Sequence, residues 1–149
     1  MKVYLTGKVR GINISEKRGT IKTPVETAEF IEAYGIAGDA HAGKWHRQVS
    51  LLGIESTYTM KGNGISDIGP GSFAENITTE GITLFTLPLG TRLKIGDIQL
   101  EITQIGKECH NECDIKRLAG DCVMPREGVF AAVIRGGKVR LGDLIEILQ

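Results

Sequence analysis

Glycine constrains this chain more than any other residue. Of its 149 residues, 20 are glycine and only 4 are proline, and the glycines fall between short apolar runs. Glycine allows positive φ and close backbone approach, at a cost in helix and strand interiors. A chain punctuated this way is poor material for long helices. It predicts short strands joined by many turns and bends, as barrels and sandwiches require.

The apolar spacing agrees. Val3, Leu5, Gly7 and Val9 alternate with polar residues, and the phase slips after Gly11 to Ile12 and Ile14; the pattern predicts one strand bent by a bulge at Gly11. Ile21 to Tyr34 fits neither the helical nor the strand period, and Gly35, Gly38 and Gly43 then break the chain into a loop. Gln48 to Leu52 reads as a short buried strand. Ile54 to Lys61 reads as a helix, with Gly53 as N-cap and Gly62 as the stop. Strands are predicted at Ile82 to Leu87 and Arg92 to Ile95, around the Pro88-Leu89-Gly90 turn, and at Ile98, Leu100 and Ile102, which alternate cleanly. Asp114 to Ala119 leaves room for one short helix. Val129 to Ile134, Gly136-Gly137 and Val139 to Leu141 carry a hairpin signal, and Leu144 to Leu148 is a last strand. Leu93-Lys94-Ile95-Gly96-Asp97 is echoed by Val139-Arg140-Leu141-Gly142-Asp143, two similar corners. The expected fold is one mostly β domain over residues 1–149, a closed or nearly closed β-barrel with one or two short helices, because closure removes sheet edges.

Composition narrows the function classes. Apolar residues make up 41% and charged residues 24%, and the formal net charge is zero; a nucleic-acid binder would carry a basic surplus. No window approaches the roughly 20 apolar residues that span a bilayer. The N-terminus becomes charged and glycine-broken too soon for a signal peptide. The 3 cysteines cannot all pair within one chain, which without a secretion signal points to reduced thiols in a cytoplasmic protein; the neutral charge and the lack of an apolar span leave no nucleic-acid or membrane partner expected. Nothing indicates the oligomeric state.

All three thiols lie in one segment, as Cys109, Cys113 and Cys122. Lys107 and His110 flank Cys109 and favour its thiolate, the reactive form, while Glu108 and Glu112 oppose it. The plainer alternative is an ordinary loop thiol. The spacing C-x3-C-x8-C with His110 also admits a thiol-metal structural module holding zinc, although zinc knuckles normally use C-x2-C pairs. Cys113 and Cys122 could instead resolve an oxidised or persulfidated Cys109. The second dense region, Gly35 to Arg47, holds Gly38, Asp39, His41, the only tryptophan (Trp45), His46 and Arg47. Such a loop can offer backbone N–H groups and Arg47 to an anion such as phosphate; equally, Asp39 can simply cap a turn. Glu75-Asn76 is a polar pair between apolar residues that needs partners if buried, either a heterocycle edge or the neighbouring loop. Arg126 offers a bidentate anion contact or is an exposed turn cation. No Ser-His-Asp order, H-E-x-x-H, kinase signature or P-loop is present.

Four runs together resemble a known family: GIAGDAHAGKWHRQVSLL from Gly35 to Leu52, GSFAENITT from Gly71 to Thr79, TQIGKEC from Thr103 to Cys109, and GVFAAVI from Gly128 to Ile134. They are similar, in the same order, to the MOSC domain, the C-terminal domain of molybdenum cofactor sulfurases. The Cys-His-x-x-Cys and GDCVMPREG runs are closest to the small stand-alone bacterial members. The resemblance implies a strand-rich, barrel-like fold and a site for molybdenum cofactor (molybdopterin). It implies that Cys109 matches the family's reactive cysteine, which carries sulfur as a persulfide or binds molybdenum. Gly38, Asp39, His41, Glu75 and Asn76 match motif residues near the site, and Arg47 matches the arginine of the first motif, with Lys107 and Arg126 as further candidates for the pterin phosphate. The sulfurases' pyridoxal-phosphate desulfurase domain has no counterpart here, so no pyridoxal phosphate is expected on this chain. The implied partners are a separate cysteine desulfurase and a molybdoenzyme. The expected roles are a sulfur transferase, a non-catalytic cofactor carrier or chaperone and, last, an oxidoreductase like the amidoxime-reducing relatives.

Overall fold

The computed structural model describes residues 6–18, 21–61, 70–71, 73–106 and 124–148. The residues Val3 and Leu5, the stop at Gly62 and the short helix at Asp114 to Ala119 lie outside the described residues. Seven strands close a ring: β1 (Thr6–Ile14), β5 (Val49–Gly53), β6 (Ile77–Glu80), β7 (Arg92–Ile95), β8 (Ile98–Ile105), β9 (Val129–Arg135) and β11 (Leu144–Leu148). Their order is β11-β7-β8-β9-β5-β6-β1, and β11 pairs back onto β1. β2 (Thr23–Val25) continues the sheet from the far half of β1, where Ile12 faces Val25. The barrel is therefore closed, and the polar edges that an open sheet would expose are paired. Every pairing in the ring is antiparallel except β5–β6. That parallel pair needs a crossover connection, and α1 (Ile54–Lys61) lies in it. A second sheet, β10-β3-β4, is formed by β3 (Thr27–Ile31), β4 (Gly35–Ile36) and β10 (Gly137–Arg140). Among the described residues no helix is long and apolar enough to cross a membrane.

The predicted alternation appears as an interior. Val9, Ile12, Leu51, Ile77, Leu93, Ile95, Ile98, Leu100, Ile102, Val129, Ala131 and Ile145 form one buried cluster, and burial of this kind is the main force closing the barrel. The bulge expected at Gly11 is present: the β1–β6 register shifts between Val9 and Gly11. Glycine is required there because a Cβ would lie 2.6 Å from the Pro70 ring. A second irregularity, between Ile102 and Gln104 on β8, turns Thr103 and Gln104 toward the loop that follows β4.

Two expectations are corrected. Ile82 to Leu87 is not a strand. Ile82 and Leu84 anchor in the core, and Leu84–Thr86 forms a 3₁₀ turn closed by the Leu87 N–H on the Leu84 carbonyl and by the Thr86 hydroxyl on the Thr83 carbonyl. Local threonine bonding and the following Pro88 end the run before a ladder can form. Nor do β9 and β10 form a hairpin. Gly136-Gly137 carries the chain from the barrel to the second sheet, where β10 pairs with β3. A Cβ on Gly136 would sit 2.6 Å from the Phe30 carbonyl oxygen, so the two glycines serve a close backbone crossing rather than a tight turn. The two echoed corners meet: a Cβ on Gly96 would fall 2.5 Å from Asp143 Oδ2, which caps the Arg140 N–H at 2.8 Å.

Candidate functional site

The loop after β4 is tied down at Asp39. Asp39 and Lys22 are both fully buried along their side chains, with Nζ 2.6 Å from Oδ1. Oδ1 also accepts the Ser15 N–H at 3.1 Å, Oδ2 accepts the His41 N–H at 3.1 Å, and Lys22 Nζ reaches Ser15 Oγ at 3.1 Å. The His41 ring nitrogen Nδ1 lies 3.8 Å from Oδ2. The loop is thus knotted to the end of β1 and the entry to β2. Burial pushes the Asp39 carboxyl up, but the Lys22 hydrogen bond and charge outweigh it, with help from the Ser15 N–H and the Asn76 amide, and its pKa ends below the ordinary value. The turn-cap reading of Asp39 is correct as far as it goes; the buried cation is what the sequence did not announce.

The same loop looks different a few residues later. The Trp45 indole donates from Nε1 to the His41 carbonyl at 2.7 Å, and its ring lies parallel to that of His41 at 6.5 Å between centroids. The guanidinium carbons of Arg18 and Arg47 each lie 4.6 Å from the Trp45 ring centre, and that of Arg47 is also 5.6 Å from the Phe130 ring. His46 Nε2 pairs with Gln104 Oε1 at 2.7 Å, and the Thr103 hydroxyl bonds the His46 carbonyl. Arg47 Nε is buried and has no hydrogen-bond partner among the described residues.

Glu75 and Asn76 face inward and are completely buried. Glu75 accepts from the Phe73 N–H, the Gly71 N–H and the Thr78 hydroxyl. Desolvation nevertheless leaves its pKa above the ordinary value. Asn76 accepts the Ser50 N–H at 2.9 Å and donates to the Asn13 carbonyl at 3.1 Å. The pair therefore braces β1 against β5 and, through Asn76, touches the Asp39 knot. Gly38 is exposed with positive φ and open space around its Cα; it borders a 630 Å³ cleft lined by Ile14, Ser15, Glu16, Lys17, Thr23 and Val25.

The chain leaves the described barrel at Gly106 and re-enters it at α2 (Met124–Glu127). Gly106 donates to the Gly128 carbonyl at 2.7 Å, so exit and return are joined. Arg126 lies exposed on α2, and Glu127 accepts a short hydrogen bond from Ser56 of α1. Lys107, Cys109, His110, Cys113 and Cys122 lie outside the described residues.

The MOSC domain profile matches residues 38–146, from the glycine loop to the last strand. The chain belongs to the MOSC domain family. MOSC domains are associated with proteins of the molybdenum cofactor. The solved structures agree on the fold. YuaD of Bacillus subtilis superposes with a TM-score of 0.81 at 21% identity, covering 99% of this chain and 98% of that one. YiiM of Geobacillus stearothermophilus gives 0.71 at 17% identity over 96% of this chain and 75% of that one. YiiM of Escherichia coli gives 0.68 at 17% over 100% and 71%. No curated protein matches by sequence.

In this MOSC domain the structure brings together Gly38, Asp39, His41 and Arg47 on one loop, with Asn76 beneath it. Sequence reading missed Lys22, Arg18 and Gln104. Lys22 sits in the stretch that fits neither period, and Arg18 and Gln104 are ordinary polar residues until the fold sets them beside the loop.

Proposed function

We propose that this MOSC protein acts in the cytoplasm, binding molybdenum cofactor and handling sulfur at Cys109 during maturation of that cofactor. One observation carries the reading. The strand end that leads into Cys109 is bonded, through Gln104 and Thr103, to the loop that gathers Arg47, Trp45 and His41. Cys109 follows Gly106 by three residues, a reach of about 11 Å at most. The residues present fit an anionic heterocycle. The loop carries guanidinium and imidazole groups; its one aspartate is neutralised by Lys22; and the cleft beside Gly38 has the size of small-molecule sites.

In this reading Arg47, with Lys107 or Arg126, holds the pterin phosphate. Gly38 lets the backbone approach, and His41, held by Asp39, moves protons. Glu75 and Asn76 keep the loop in register. The Cys109 thiolate attacks the outer sulfur of a desulfurase persulfide, taking that sulfur and releasing the donor thiolate. Cys113 or Cys122 then attacks the inner sulfur, forming a disulfide and releasing hydrosulfide; an external dithiol later reduces that disulfide and is itself oxidised to a disulfide. The bound cofactor supplies molybdenum as a sulfide acceptor.

The test is covalent. Incubated with a cysteine desulfurase and cysteine, the protein should gain one sulfur atom by intact mass under non-reducing conditions, and Cys109→Ser should gain none. Cofactor binding with no adduct in the wild type would replace transfer by a carrier role, with Cys109 as a molybdenum ligand.

A further inference from the structure

We infer that Arg18 and Arg47, mounted on Trp45, form a two-armed site for a tetrahedral oxyanion dianion, a phosphate monoester or a free metal oxyanion. The inference rests on the proposed function for the identity of the ligand, not for the existence of the site.

Two guanidinium groups pack against one indole, each carbon 4.6 Å from the ring centre, so the two carbons are at most twice that distance apart. They repel each other. Among the described residues neither forms an ion pair with a carboxylate. The one aspartate of the loop is bound to Lys22, and the chain as a whole is neutral, so the excess is local.

The geometry also leaves most of the donors unused among the described residues. A guanidinium over a ring uses its flat face, whereas its N–H groups radiate from the rim, in the plane. Arg18 gives Nε to the Ala40 carbonyl at 3.3 Å, and Arg47 Nε is buried with no partner among the described residues. The terminal amino groups of both make no hydrogen bond among the described residues. Trp45 is a fixed platform because its own N–H is bonded to the His41 carbonyl. Cations with no carboxylate partner among the described residues, with most donors unused and a rigid support, suit an oxyanion that accepts several charge-assisted hydrogen bonds.

Trp45 is the single tryptophan, so its fluorescence reports on this site alone. The full-length reduced protein is titrated with inorganic phosphate and, separately, with molybdate, against sodium chloride at matched ionic strength, with calorimetry as a second readout. Saturable binding of either oxyanion is expected, weakened about tenfold or more in Arg18→Gln and in Arg47→Gln. Phosphate binding assigns the site to a phosphate ester; binding of molybdate alone assigns it to the metal oxyanion. Absence of saturable binding by both readouts, or wild-type affinity retained in both arginine variants, overturns the inference. Binding retained where no sulfur adduct forms would separate this site from the thiol chemistry.

Discussion

Two parts of one loop handle charge in opposite ways. At Asp39 the charge is sealed in, with a buried ammonium at 2.6 Å and backbone donors on both oxygens. At Arg47, eight residues on, two cations share an indole and meet no carboxylate among the described residues. Charges satisfied from within hold a scaffold; charges left unmatched on a fixed platform are available to something from outside. The first half of the loop is therefore anchor, and the second half is the surface the anchor presents.

The sharpest way to break this contrast is to remove the anchor's cation. Lys22→Met leaves Asp39 buried without a counter-charge and should cost about 3–5 kcal/mol, read as a fall in the urea midpoint. Replacing both partners, Lys22→Met with Asp39→Leu, should recover most of that loss, since an apolar pair of similar volume often matches a buried ion pair. If the single and double variants are equally unstable, the pair is not the anchor.

Acid should distinguish the buried carboxyls next. The pKa of Asp39 is lowered on folding, so its stabilisation is complete above the unfolded value of about 3.9 and is lost as pH falls through the folded value. Glu75 has the opposite sign: its pKa is raised, so its contribution is complete below about 4.3 and lost as pH rises through the folded value. Urea midpoints followed from pH 6 to pH 3 should fall less steeply in the Lys22→Met, Asp39→Leu protein than in the wild type. An identical acid limb would show that Asp39 is not a stabilising carboxylate.

The smallest effect belongs to the platform. Arg18→Gln and Arg47→Gln should each change stability by no more than about 1 kcal/mol, because a lost stacking contact is offset by relief of repulsion between the two cations. A loss as large as that of Lys22→Met would make these arginines part of the anchor and erase the distinction between the two halves.

Much of the barrel was legible in the residue order. Strict alternation at Ile98, Leu100 and Ile102, and the phase slip at Gly11, are local consequences of a period-two chain with one side buried, and both appear as read. The helix at Ile54–Lys61 and the strands at Arg92–Ile95 and Leu144–Leu148 carry the bounds expected from their flanking residues. The failures are one of local bonding and one of partner choice. Ile82 to Leu87 has apolar content suited to a strand but is closed on itself by the Thr86 bond to Thr83, and Gly136-Gly137 looks like a hairpin turn although β10 pairs with β3 instead. Pairing is a long-range choice that local composition does not encode. The site divides in the same way. The glycine loop and the Glu75-Asn76 pair stood out by residue type, whereas Lys22 and Arg18 acquired meaning only from what folds beside them.

The residue order alone determined the strand-rich class, the bulge, the gathering of thiols in one segment and the membership of the MOSC family, because each depends on neighbours along the chain. Only the tertiary structure decided that a lysine in an unreadable stretch would lie buried against Asp39, and that an arginine after the first strand would share an indole with Arg47. Burial and electrostatic pairing act through space. A residue 17 positions away in sequence can therefore be the nearest charge in the fold.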